Sequence, residues 1–289
     1  MKRIACSLAI LSLTIFACIF PTATPTQAPL ATATLAPTLA ATLTATSVAT
    51  ELTTETTTPG VETPLFPSNN AFCDKLSVYI DPALASSTTC ETIPASQEME
   101  FHPQYFKLTL VGYPLQGKFF PATISFFSVQ DYTALLPDHV PGLVTDLQAL
   151  ISGGLPGTKS LPFLPVFNAA QTFHSNYVHF PFLTGNGIRY LTLFAQYAAP
   201  INNHDLFYTY QGLTTDGKYW VSAILPVNNP ILPDNADNPP GGQTWEQFTN
   251  NYQVYQADMI TQLEAQTPDS FTPSLNALDG MISTITIQP

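Results

Sequence analysis

The chain has 289 residues and a net charge of −12, with 20 acidic side chains against 8 lysines and arginines. Nucleic acids and bare anionic lipid recruit basic footprints, so this balance excludes both as primary partners. Charged residues make up only 10% of the chain, so solubility rests on Ser, Thr, Asn and Gln as well as on acids, as in many exported proteins.

Lys2 and Arg3 precede an apolar run from Ile4 to Phe16, followed by Ala17 and Cys18. A positive start, a short apolar core and a small residue before the cut define a secretory signal. The run, interrupted by Ser7, Ser12 and Thr14, falls short of the roughly 20 residues of a membrane span. Ile15-Phe16-Ala17-Cys18 resembles the lipobox of bacterial lipoproteins. That resemblance implies a lipoprotein-type signal peptide over residues 1–18, a diacylglyceryl thioether on Cys18 and membrane attachment through the lipid. Ordinary signal cleavage and an uncleaved anchor stand as alternatives.

Residues 19–66 are mostly Thr, Ala and Pro, with no aromatic residue between Pro21 and Pro64. Such a segment buries too little apolar surface to offset ordering entropy, so it is expected to be a disordered, Pro-stiffened spacer. Thr beside Pro suits O-glycosylation. Of four cysteines, Cys6 would leave with the signal and Cys18 would carry lipid, leaving Cys73 and Cys90 to pair. Closing that loop contributes about 3 kcal/mol. Pro82 and Ser86-Ser87-Thr88-Thr89 predict little regular structure beside the bridge.

Residues 67–289 are expected to form a single domain. Phe106–Val111 and Ala122–Val129 read as strands, and Pro141–Ile151 as a helix with Leu143, Val144, Leu147, Leu150 and Ile151 on one face. Leu161–Phe167 reads as a Pro-rich apolar loop. His174–Leu183 and Ile188–Ala198 flank an Asn186-Gly187 turn, and Asp205–Thr215 and Lys218–Val227 flank Asp216-Gly217. Thr244-Trp245-Glu246-Gln247 is a capping box, opening a helix striped by Trp245, Phe248, Tyr252, Tyr255, Met259 and Leu263. A last helix from about Ser274 presents Leu275, Leu278, Ile282 and Ile285.

Two strands, a helix, four antiparallel strands and two helices predict an α+β fold, an antiparallel sheet with helices packed against it. From Phe101 to Ile287 this order resembles the PsbP-like fold, with its best local match at Leu278-Asp279-Gly280-Met281-Ile282-Ser283-Thr284-Ile285. The resemblance implies a sandwich that binds or helps assemble other components rather than an enzyme. The hairpin segments 206–214 and 216–222 also look like uncharacterised exported lipoproteins with similar Thr-Pro tethers.

No nucleophile-elbow, zinc-protease or paired-cysteine motif occurs, and no cofactor is implied. His174 and His179, five apart on one strand, point to opposite faces, and Asp234–Asn238 lacks the Gly and Glu of a calcium loop, so no metal is expected. Arg189, at a hairpin mouth, reads as a surface ion pair, or else a carboxylate trap.

The hairpins carry a more specific signal. Pairing them by their turns puts Val178, Phe180, Phe182, Leu191, Leu193 and Ala195 on one face of the first. Tyr177, His179, Tyr190, Thr192, Phe194 and Gln196 share the other. In the second hairpin Phe207, Thr209, Gln211, Trp220 and Ser222 lie together, opposite Tyr208, Tyr210, Val221, Ala223 and Leu225. Aromatics mixed with neutral hydrogen-bonding groups suit an uncharged small ligand, a glycan or an envelope protein. The same pattern also fits a sheet face covered by other parts of the chain.

The expectation is therefore an extracytoplasmic, membrane-anchored binding or scaffolding module without catalysis. On it, Trp220→Ala or Tyr190→Ala would weaken binding and leave the melting temperature nearly unchanged. A secreted hydrolase using His179 or His204 with a carboxylate such as Asp205 is the alternative, and a purely structural envelope protein the third reading.

Overall fold

The computed structural model describes residues 69–97, 101–157 and 160–288. The expected signal peptide, Cys18 and the 19–66 linker lie outside these residues. The chain opens with a hairpin of β1 (Asn70–Cys73) and β2 (Leu76–Tyr79), turned at Asp74 in the left-handed region (φ 51°). β3 (Ser87–Ile93) follows, then the short ribbon of β4 (Ser96–Gln97) and β5 (Phe101–His102). β6 (Tyr105–Val111) and β7 (Thr123–Ser128) lead into helices α1 (Val129–Leu135) and α2 (Val140–Ile151). Next come β8 (Ala170–Gln171), β9 (Ser175–Phe182), β10 (Gly185–Thr192), β11 (Phe194–Ala195), β12 (Phe207–Thr214) and β13 (Tyr219–Pro226). Helices α3 (Trp245–Asn250), α4 (Tyr252–Glu264) and α5 (Leu275–Ser283) precede β14 (Thr286–Ile287).

Seven strands form one antiparallel sheet in the order β3-β6-β7-β13-β12-β10-β9. Two meanders, β3-β6-β7 and β9-β10-β12-β13, meet at its centre, where Val221 faces Phe126 and Ser222 faces Ser125. The fold is α+β, as expected, with a core on each side of the sheet. Tyr208, Tyr210, Val221 and Leu225 point toward α4, α5 and the β1–β2–β14 sheet. Phe127, Tyr190, Phe207 and Trp220 point toward α1, α2 and the 161–164 segment. The described residues belong to one compact unit.

Local signals placed most elements. Thr244 and Gln247 cap each other reciprocally at α3, and Leu275, Leu278, Ile282 and Ile285 are all buried. The helix predicted from Thr244 is two, broken at Asn251. Helix α1, not foreseen, is capped by Ser128 Oγ accepting from the Asp131 amide. The segment expected to be irregular is also corrected, since Ser87–Ile93 is an edge strand paired along all of β6. Its Thr residues favour extended backbone, but both of its faces are largely exposed, so no apolar alternation marks it. Cys73 and Cys90 are disulfide-bonded (S–S 2.07 Å), tying the first hairpin to this edge.

The turn of the first predicted hairpin lies at Leu183-Thr184 rather than Asn186-Gly187, so Ile188 faces His179 and not Gly185. The Tyr210 ring occupies the space the glycines leave. A Cβ on Gly187 would stand 2.6 Å from Tyr210 Cζ, and one on Gly212 2.7 Å from Tyr210 Cε1. Asn186-Gly187 is therefore committed to a flat strand floor under an aromatic ring. The displacement is an even number of residues from Val178 to the turn, so those side chains keep their expected faces, and the register shifts by one only beyond Arg189, where Leu191 faces Ser175.

The second hairpin turns at Asp216-Gly217 as predicted, with Leu213 opposite Trp220. A hydrogen bond from Thr214 Oγ1, then the Lys218 amide, hold the Asp216 carboxyl down to about 2. A depressed carboxyl stabilises the fold above its ordinary range and loses that contribution as pH falls through about 2.

Arg189 is not at the surface. It is buried, and it donates from Nε to Asp279 Oδ1 (3.3 Å), from Nη2 to Asp279 Oδ2 (3.1 Å) and from Nη1 to the Asn176 carbonyl. Tyr208 also donates to Asp279 Oδ1 (2.9 Å), so α5 is keyed to the sheet by charge as well as by apolar contact. Asp279→Ala leaves this guanidinium unpaired and should cost about 3 kcal/mol in urea unfolding. Thr214→Val should move the Asp216 titration midpoint, followed by NMR, upward toward 3.8.

Candidate functional site

The mixed hairpin face is closed, which corrects the expectation of a ligand surface there. The Pro-rich loop 161–167 crosses it, and the polar groups on the sheet bond to that loop. Gln211 is the hub. Its Oε1 accepts from the Leu164 amide (3.1 Å) and from Trp220 Nε1 (2.7 Å), while its Nε2 donates to Thr209 Oγ1 (2.8 Å) and Ser222 Oγ (2.9 Å). Ser222 Oγ in turn donates to the Leu164 carbonyl (2.5 Å), and the Tyr190 hydroxyl to the Pro162 carbonyl (3.0 Å). Thr192 Oγ1 donates to the Phe173 carbonyl (2.6 Å).

Tyr190, Thr192, Thr209, Gln211, Trp220 and Ser222 are accordingly buried. Burial pushes the Tyr190 hydroxyl well above the ordinary tyrosine range. These groups are a satisfied internal network, held on β10, β12 and β13 by alternation. Tyr177 is half-buried, and its hydroxyl, like Ser175 Oγ and Asn176 Oδ1 earlier on β9, is buried without a hydrogen-bond partner. His179 stands exposed and apart from them. Of the eleven residues on the two mixed faces, Phe194 and Gln196 line the main cleft.

That cleft, about 530 Å³, lies where the loop leaves the sheet. Phe119 and Phe120 come from the β6–β7 connection, Phe167 and Asn168 from the loop's end, and Phe194, Gln196 and Tyr197 from β11 and just beyond. Ring stacking fixes its floor. Phe120 lies parallel to Phe167 (5.1 Å, 10°), Phe167 meets Phe194 edge-on (5.0 Å, 90°), and Phe194 lies parallel to the buried Phe207 (6.2 Å, 11°). Phe119 and Tyr197 project beyond the floor, 61% and 59% exposed. Gln196 Nε2 donates to the Asn168 carbonyl (2.6 Å), joining two of the cleft's lining residues.

One acidic group reaches the lining. Asp205 accepts from His204 Nδ1 (2.6 Å) and from Asn202 Nδ2 (2.9 Å), so both of its oxygens are engaged. The Phe119 ring meets the His204 ring edge-on at 6.3 Å, and the Phe119 amide donates to the His204 carbonyl (3.1 Å). Beside them Lys118 donates to the Asn203 carbonyl (2.6 Å) and to Asn228 Oδ1, and burial lowers its ammonium's proton affinity. The hydrolase reading thus finds an oriented histidine–carboxylate pair. Among the described residues, however, the cleft's lining holds no Ser, Thr, Cys or Lys to serve as nucleophile. Nor do three or more His, Cys, Asp or Glu side chains converge on a metal position among them.

Sequence reasoning missed the cleft because four separate segments build it. The Phe119-Phe120 doublet and the apolar loop ending at Phe167 were its available signals. Comparison with protein-family models, curated proteins and solved structures finds no match to this chain.

The stabilities of two variants should separate closed face from open cleft. Trp220→Ala should cost about 4 kcal/mol in urea unfolding, as large core truncations do. Phe119→Ala, at an exposed ring, should cost under about 1 kcal/mol.

Proposed function

We propose that this chain is an extracytoplasmic binding module, tethered to a membrane through Cys18 and the 19–66 spacer, and that its aromatic cleft holds an uncharged, hydroxyl-bearing ligand such as a sugar without converting it. The observation that carries the reading is that the exposed Phe119 and Tyr197 rings share one cleft lining with the amide residues Asn168 and Gln196. Flat aromatic faces stack against apolar sugar faces, while side-chain amides bond hydroxyls. No lysine or arginine lines the cleft, and the chain is strongly acidic, so an anionic ligand would meet repulsion.

The Cys73–Cys90 disulfide fits an oxidising compartment. Among the described residues no helix is long and apolar enough to cross a membrane. Cys18→Ser should release the protein from the membrane fraction, and mass spectrometry of the wild type should find a lipid-modified N-terminal peptide. Release of wild type and variant alike would rule out the lipid anchor.

In calorimetric titration with neutral oligosaccharides, Phe119→Ala and Tyr197→Ala should each weaken binding by about tenfold or more, with melting temperature unchanged. His204→Ala tests the hydrolase reading, which the His204–Asp205 geometry favours. Cleavage products that appear with wild type and vanish with this variant would make the protein an enzyme.

A further inference from the structure

A second cavity, about 440 Å³, adjoins the aromatic cleft and shares Ala195, Gln196 and Tyr197 with it. The ribbon of β8 and β11 serves both, because Phe194 opposes Gln171 and Ala195 opposes Ala170 in its register. Phe194 lines the first cavity, Gln171 the second and Ala195 both. The far wall of the second is α4, tied down by Tyr252 donating to the Ala199 carbonyl (3.0 Å) and Gln256 Nε2 donating to the Thr172 carbonyl (2.7 Å). Exposed Gln253 completes that wall. The two cavities differ in chemistry. The first is floored by aromatic rings, whereas the second is lined by amides, alanines, a threonine and two tyrosine rings, with no Asp, Glu, Lys or Arg.

We infer that the ligand is a neutral glycan chain, with one sugar unit stacked in the aromatic cleft and the following units running over Tyr197 into the amide-lined cavity against α4. This rests on the binding reading proposed above and adds the ligand's length and direction to it. A single sugar leaves the second cavity unused. A chain of neutral, hydroxyl-rich units offers what both cavities share, flat faces for Tyr197 and Tyr252 and hydrogen-bonding groups for Gln196 and Gln253. Two linked contacts also raise affinity more than either alone, since the second forms at high effective concentration.

The test is calorimetric titration of the full chain with β-linked glucose and N-acetylglucosamine oligomers of one to six units. Affinity should rise with length, by about tenfold or more from two units to six. Gln253→Ala should remove several-fold of that gain and leave the two-unit affinity unchanged, whereas Phe119→Ala should weaken every length. Length-independent binding that stays sensitive to Phe119→Ala would overturn the second subsite and leave the first intact. Absence of binding at any length would overturn both. A synthetic peptide of residues 21–64 that bound more tightly than every glycan would overturn the glycan assignment in favour of a proline-rich segment.

Discussion

Gln211 has room for two donated and two accepted hydrogen bonds, and each of these roles is filled inside the protein. That saturation is the constraint on which the rest depends. It fixes the Leu164 backbone against the sheet, and with it the path of the loop from Leu161 to Phe167. The loop then leaves the sheet where Phe120 and Phe194 wait for Phe167, and the stacked floor of the cleft follows. Losing the Gln211 side chain would strand the Trp220 indole N–H and the Leu164 amide in a dry interior. Such unsatisfied groups cost about 1–3 kcal/mol each.

The opposite face is closed by different means. There Arg189, Tyr208 and Asp279 form a partly buried charged cluster that orients α5, surrounded by the apolar contacts of Leu275, Leu278 and Ile282. With both faces covered, the cleft proposed for binding lies at the rim, where connections supply most of the side chains. Functional groups carried on loops above a rigid sheet are a common arrangement, and here rings packed to the sheet's core give those loops a fixed base.

Much of the fold was legible in the sequence because alternation and capping are local. The Asp216-Gly217 turn, the Thr244 capping box and the face assignments of both hairpins follow from neighbours within a few residues. Even the misplaced first turn left those faces intact from Val178 to Arg189, since the slip there was even. Two features escaped for physical reasons. Ser87–Ile93 is an edge strand without a buried face, so nothing in its pattern separates it from a loop. The closed face looked like a binding surface because a buried polar network and a ligand site use the same residues: Tyr190, Thr209, Gln211, Trp220 and Ser222 differ from a sugar-binding set only in what lies above them. What lies above is Leu161–Phe167, visible as an apolar loop, but its docking depends on contacts some 50 residues away, which no local pattern encodes.

The closure of this face can be read from a single proton. The chain has two tryptophans, and their indole N–H groups differ sharply. Trp220 donates to Gln211 in the interior, whereas Trp245 is 43% exposed at the start of α3. In hydrogen exchange followed by NMR, the Trp220 indole proton should exchange as slowly as the most protected sheet amides, through global unfolding, while that of Trp245 exchanges rapidly. Rapid exchange at both indoles would mean that the loop opens and exposes the mixed face, contradicting a sheet sealed by Gln211 and the 161–167 loop.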